Sequence, residues 1–148
     1  MDRRLDDERG AALVMVLGVL AVLAVLAAIA ITIVTSEKKT ALSDYTNQRS
    51  FYSADAASEA GVNWIQRQTS PPSLVDTLSH VFKANEYVTL EGDNRYQYDV
   101  TYTRKRFRPG WSVEYKDYEY TVDARGASAQ QSEAAVQVTA TRLYREGY

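Results

Sequence analysis

Residues 10–34 read GAALVMVLGVLAVLAVLAAIAITIV, and after Gly10 the only polar residue in them is Thr32. The run carries no charge and no proline. At about 1.5 Å rise per residue, a helix over 11–34 reaches roughly 36 Å, enough to cross a hydrocarbon core of about 30 Å. A bilayer offers the backbone no hydrogen-bond partners, so this stretch must be a helix that satisfies its own N–H and C=O groups. The run divides the chain into a charged leader (1–10), a transmembrane first half of a long helix (11–34) and a polar remainder (35–148).

The leader MDRRLDDERG holds three Arg and four acids. Arg3, Arg4 and Arg9 on one side of the apolar run are matched by Lys38, Lys39 and Arg49 on the other, so charge bias does not orient the segment. The remainder is of single-domain size. From Glu37 onward 14 Lys or Arg stand against 15 Asp or Glu, a balance that argues against a nucleic-acid partner. The chain has no cysteine and one histidine, His80, which excludes disulfides, thiolate chemistry and a multi-histidine metal site. From the residues alone the apolar run is open to two readings: a secretory signal cut at Ala28–Ala30, or an uncleaved signal anchor. The first requires an unusually long apolar region with its cut deep inside the run.

Beyond the run no helix-ending signal occurs before Pro71 and Pro72, so the helix is expected over about 11–68. Leu42, Tyr45, Tyr52, Ala56, Ala60 and Trp64 recur at three- or four-residue steps and form the stripe expected to pack on a sheet. Residues 73–84 place Leu74, Val75, Leu78, Val81 and Phe82 at helical spacing, which predicts a short helix, or a loop with one helical turn, containing a half-buried His80. The period then changes to two. Tyr96, Tyr98, Val100 and Tyr102, then Tyr118, Tyr120, Val122 and Ala124, then Ala134, Val136, Val138 and Ala140 alternate with polar residues; with 87–90 they predict an antiparallel sheet of about four strands. Gly92, Asp93 and Asn94 predict a tight turn, and 126–132 a looser polar connection. Nine of the eleven tyrosines fall at or after Tyr87, where alternating rings serve as packing. RKRFRPG at 104–110 is expected in a hairpin loop, where Arg104, Lys105, Arg106 and Arg108 form a solvated cluster or a contact for an acidic neighbour or anionic polymer.

The junction adds a third reading. A short charged leader ending in Arg9-Gly10, an apolar run at once after it, and SFYSADAASEAGVNWI at 50–65 resemble the class III signal and helix continuation of type IV pilins and type II secretion pseudopilins. The wording is most similar to the PilX N-terminal type of minor pilin and to the K-type pseudopilin. The resemblance covers about residues 8–66. It implies an α+β pilin fold in which the N-terminal helix packs on the C-terminal sheet. It also implies cleavage between Gly10 and Ala11 by a prepilin peptidase, methylation of the new N-terminus, and an assembly helix containing Met15 and Gly18. The implied partners are other pilins or pseudopilins and an inner-membrane assembly platform. Before assembly the chain would sit in the inner membrane with its N-terminus in the cytoplasm, and in a filament it would reach the periplasm or cell surface. Main pilins carry a glutamate at the fifth residue after the cut, where this chain has Met15, and a helix-breaking proline that it lacks. The missing carboxylate implies a subunit that enters first or caps a filament, or one in which another residue or solvent meets the neighbouring ammonium; the missing proline argues against local melting of the helix during assembly.

No nucleotide loop, GxSxG element, paired zinc ligands or calcium loop is present, so no catalytic residue, cofactor or metal is expected. The functional expectation is a minor pilin or pseudopilin. The alternative is an uncleaved single-pass protein whose exported sheet domain acts as a sensor or scaffold.

Overall fold

The computed structural model describes residues 3–72 and 80–146, with the side chains of 3–9 and of Gln130 excepted. One helix, α1 (Arg3–Arg67), is followed by strands β1 (His80–Lys83), β2 (Val88–Glu91), β3 (Asn94–Phe107), β4 (Tyr115–Ala127) and β5 (Glu133–Arg145). A single 3-10 turn, Ala129–Gln131, joins β4 to β5. The chain divides within α1 into two compact units, Met1–Ser43 and Asp44–Tyr148.

In the first unit the apolar run is helical throughout and its side chains are exposed all round. Thr32 Oγ1 donates to the Ala28 carbonyl at 2.9 Å, and Thr35 Oγ1 to the Ile31 carbonyl at 2.7 Å. The hydroxyl within the run is thereby satisfied inside its own helix, as an apolar solvent requires.

In the second unit the sheet is antiparallel with order β1-β3-β4-β5, and β2 also pairs with β3. The β4–β5 ladder runs without a break from Tyr115↔Arg145 to Ala127↔Glu133. The alternation on β4 is the one read from sequence, with Tyr118, Tyr120, Val122 and Ala124 all buried. With Ile65 of the helix, Val100 and Tyr144 they make the core. Around it Trp64 lies 5.1 Å from Phe82, Phe82 stacks on Tyr98 at 5.0 Å, and Tyr118 meets Tyr144 edge-on at 5.4 Å. The tyrosines are thus packing elements, contributing ring area and edge-to-face contacts.

Three expectations require correction. Residues 80–83 form a strand paired with β3 rather than the end of a helix, while 73–79 lie outside the described residues. The strand wins because pairing with Asp99–Thr101 satisfies the backbone, and Phe82 reaches Tyr98 and Trp64 from an extended chain. His80 is exposed, its Nδ1 lying 2.8 Å from Thr101 Oγ1. Finally, Arg104–Phe107 continue β3, and the loop begins only at Arg108.

Candidate assembly surfaces

The helix meets the sheet through small residues. Thr46, Ser50, Ser53, Ala54, Ala57, Ser58 and Ile65 are buried. Ser50 Oγ lies 3.1 Å from Ser132 Oγ, which donates to Asn47 Oδ1 at 2.7 Å. Ser53 and Ser58 donate back to the carbonyls of Arg49 and Asp55. Buried hydroxyls are tolerated here because each has a partner. The closest approaches occur at glycines. A Cβ on Gly126 would overlap Ala54 N and Ser50 O of the helix backbone, and one on Gly61 would overlap Val122 Cγ1. Only glycine lets these two surfaces come so close.

Tyr45 and Tyr52 therefore do not pack on the sheet. They are 51% and 59% exposed on the opposite side of the helix, while Ala56, Ala60 and Trp64 are half-buried at the edge of the contact. The bulky stripe was the stronger pattern in sequence, but bulk cannot enter a seam whose opposing backbone is this near. The signal that finds the seam is the run of Ser, Ala and Gly at Ser50, Ser53, Ala54, Ala57, Ser58 and Gly61.

The helix ends against the far part of the sheet. Gln68 Nε2 donates to the Trp64 carbonyl at 3.1 Å, and the Arg142 guanidinium donates to the Ile65 carbonyl. A cation on the last carbonyls complements the helix dipole and satisfies orphan acceptors.

The basic cluster is tied into the sheet by carboxylates. Arg104 and Arg106 both pair with Glu119, at 2.9 and 3.3 Å, and Arg108 lies 3.7 Å from Asp117. Lys105, Lys116 and the Tyr118 hydroxyl converge on Glu146. These bonds, that of Lys105 first, hold the Glu146 carboxyl down at about 2. Burial, with the bond to Glu146 second, pushes the Tyr118 phenol up to about 12. The cluster is thus less free than a solvated loop, yet the side chains of Arg104 and Arg106 each remain 53% exposed.

On the first unit Gly10 and Ala11 lie exposed within α1, and Met15 is 74% exposed. At Gly18 the missing side chain leaves a shallow apolar notch lined by Met15, Val19, Val22 and Leu23. Leu13–Val34 present a continuous unpartnered apolar surface, long and apolar enough to cross a membrane.

Comparison with known proteins follows the same division. Residues 9–59, which reach from just before the apolar run into the first part of the helix–sheet seam, match the family model described as PilX N-terminal. No curated protein and no solved structure matches the chain. The pilin family is structural rather than enzymatic and implies contact with other pilins in a filament. Over 9–59 the chain is thus similar to the PilX N-terminal family, and that segment lies within the single helix α1.

Proposed function

We propose that the chain is a minor pilin or pseudopilin: a membrane-stored subunit that initiates, caps or joins a type IV pilus or type II secretion-like filament. The observation that carries this reading is the match at 9–59 falling on a helix whose apolar half is exposed on every side. Such a surface is stable only in lipid or among like helices. Assembly exchanges one for the other. Prepilin peptidase cuts between Gly10 and Ala11 on the cytoplasmic side, the new N-terminus is methylated, and an inner-membrane platform feeds the helix into a bundle. The chain itself performs no catalysis and binds no nucleotide, so the work comes from a separate motor.

Met15 bears on where the subunit sits. An N-terminal ammonium entering an apolar bundle is costly unless paired. This chain brings no carboxylate at position 15 to meet the ammonium of a subunit already in place, which suits a subunit that enters first or caps the filament. The test is composition. Filaments sheared from cells contain the chain as a minor component at the tip, and Gly10→Val, which blocks cleavage, removes it from the sheared fraction while it remains in membranes. Recovery of the Gly10→Val chain in filaments at the unmodified level contradicts the reading. Spread of the unmodified chain along the shaft contradicts the tip position, and Met15→Glu moves the chain into the shaft.

A further inference from the structure

The two edges of the sheet are built differently. On one side β3 is flanked by two strands of 4 residues each, β1 and β2, and each carries a register shift, between His80 and Phe82 and between Thr89 and Glu91. Short strands and bulges are devices that stop a sheet from adding further strands. On the other side β5, 13 residues long, pairs with β4 without a shift, and among the described residues with β4 alone. Its central stretch, AAVQVTAT at 134–141, has no charge and no proline. Alternate residues of such an edge point their N–H and C=O groups outward, so about four of each stand unpaired along it.

The side chains along this edge are also incompletely covered. Val122 and Tyr120 on β4 are wholly buried, whereas their β5 partners Val138 and Ala140, with Val136 on the same face, are only half-buried. Gln137, Thr139 and Thr141 on the other face are exposed. The edge therefore offers an apolar row, a polar row and a line of backbone groups between them. A second copy fits it poorly. Two β5 edges set antiparallel keep their faces but reverse one copy, so that the 44–67 parts of the two helices run in opposite directions, at odds with chains held at their N-terminal sides in one membrane. Set parallel, they keep direction but exchange faces, which puts Val136 and Val138 of one copy beside Gln137 and Thr139 of the other at every register.

We propose that β5 is a strand-addition site for an extended, uncharged segment of a different polypeptide, apolar at alternate residues. The backbone of that segment takes up the outward N–H and C=O groups of 134–141, and its apolar residues cover Val136 and Val138. Backbone pairing supplies the affinity, and the alternation of side chains sets the register. The inference goes beyond the assembly reading and rests on the sheet alone, so its failure leaves that reading standing.

The probe is a synthetic peptide of alternating Thr and Val, TVTVTVTV, on a soluble polyethylene glycol tail, and the readout is hydrogen exchange of the full chain in detergent. Without peptide, the outward half of the 134–141 amides exchanges about 100-fold faster than the half bonded to β4. The peptide slows the outward half at least about tenfold and leaves β1 and β2 unchanged. The same peptide N-methylated at every residue, or rearranged as TTTTVVVV, gives no protection. Val138→Lys, a charge on the apolar row, weakens binding about tenfold, and Gln137→Lys on the polar row changes it by less than about twofold. The amides bonded to β4 report whether each variant is folded, and the N-methylated peptide decides the matter on the unaltered chain. In chain isolated with its partners from native membranes the outward amides are slow before any peptide is added. Protection by the N-methylated peptide, equal protection of β1 and β2, slow exchange throughout 134–141 in the chain alone, or fast exchange in the native preparation each overturns the proposal. Slow amides in a native preparation that holds two copies of this chain and no other polypeptide give the edge to a second copy and overturn it likewise.

Discussion

Gly126→Ala tests the helix–sheet seam at its narrowest point. The added methyl would overlap Ala54 N and Ser50 O and crowd Ser53 C, all backbone atoms of a continuous helix with no rotamer to change. The strand or the helix must move instead. Overpacking costs about 1–3 kcal/mol, and contact with backbone puts this site near 3. Gly126 does not occupy the left-handed region, so alanine regains up to about 1 kcal/mol through a less flexible unfolded chain. The net loss is about 2 kcal/mol, a fall in midpoint of about 8–16 °C for a domain of this size. Thermal unfolding of the full chain in detergent, followed by near-ultraviolet circular dichroism of the core tyrosines, measures it. Ala135→Val adds bulk at an exposed position of the neighbouring strand and is expected to change stability by no more than about 0.5 kcal/mol. Equal midpoints for Gly126→Ala and Ala135→Val would refute the close approach.

Other predictions follow from the same geometry. Gly61→Ala is destabilising although alanine favours a helix by about 1 kcal/mol, because its methyl meets Val122 Cγ1; a cycle with Val122→Ala shows coupling of at least about 0.5 kcal/mol, whereas additivity would deny the contact. The Glu146 carboxyl is held at about 2 against an ordinary 4.5, so its stabilisation is present above about 4.5 and disappears as pH falls toward 2. Glu146→Gln flattens that acid limb in pH-dependent unfolding; an unchanged limb would show that the Lys105 and Lys116 bonds do not hold the carboxylate. Tyr98, Tyr118, Tyr120 and Tyr144 are raised chiefly by burial, Tyr118 to about 12, so folding favours the neutral phenols. Their contribution is full below about 10 and is lost as pH climbs through the folded values, with tyrosinate absorbance and unfolding rising together; ionisation of these rings at pH 10 in a folded protein would contradict their burial.

Much of this architecture was legible in the residues, and each misreading has a physical cause. The apolar run at 10–34 admits one conformation in lipid, and the period-two alternation of 118–124 records which face of β4 is buried. The seam was harder to see. Tyr45 and Tyr52 advertise a buried stripe, yet close helix–sheet approach selects Ser50, Ala54, Ala57 and Gly61 and turns the tyrosines outward. Val81 and Phe82 fit a helical period as well as a strand, and only the open edge of β3 decides between them. The basic run at 104–108 looked like a loop because charge usually marks solvent. Its carboxylate partners, Asp117, Glu119 and Glu146, lie on β4 or after β5, where sequence spacing gives no hint of them.

The mass of the mature N-terminus, read on chain purified from native membranes, bears most directly on the central claim that the apolar helix is trimmed at its cytoplasmic end and retained for assembly. The account predicts a chain that begins at a methylated Ala11 and keeps residues 11–34. A chain still beginning at Met1, or one cut after Ala30, would contradict it.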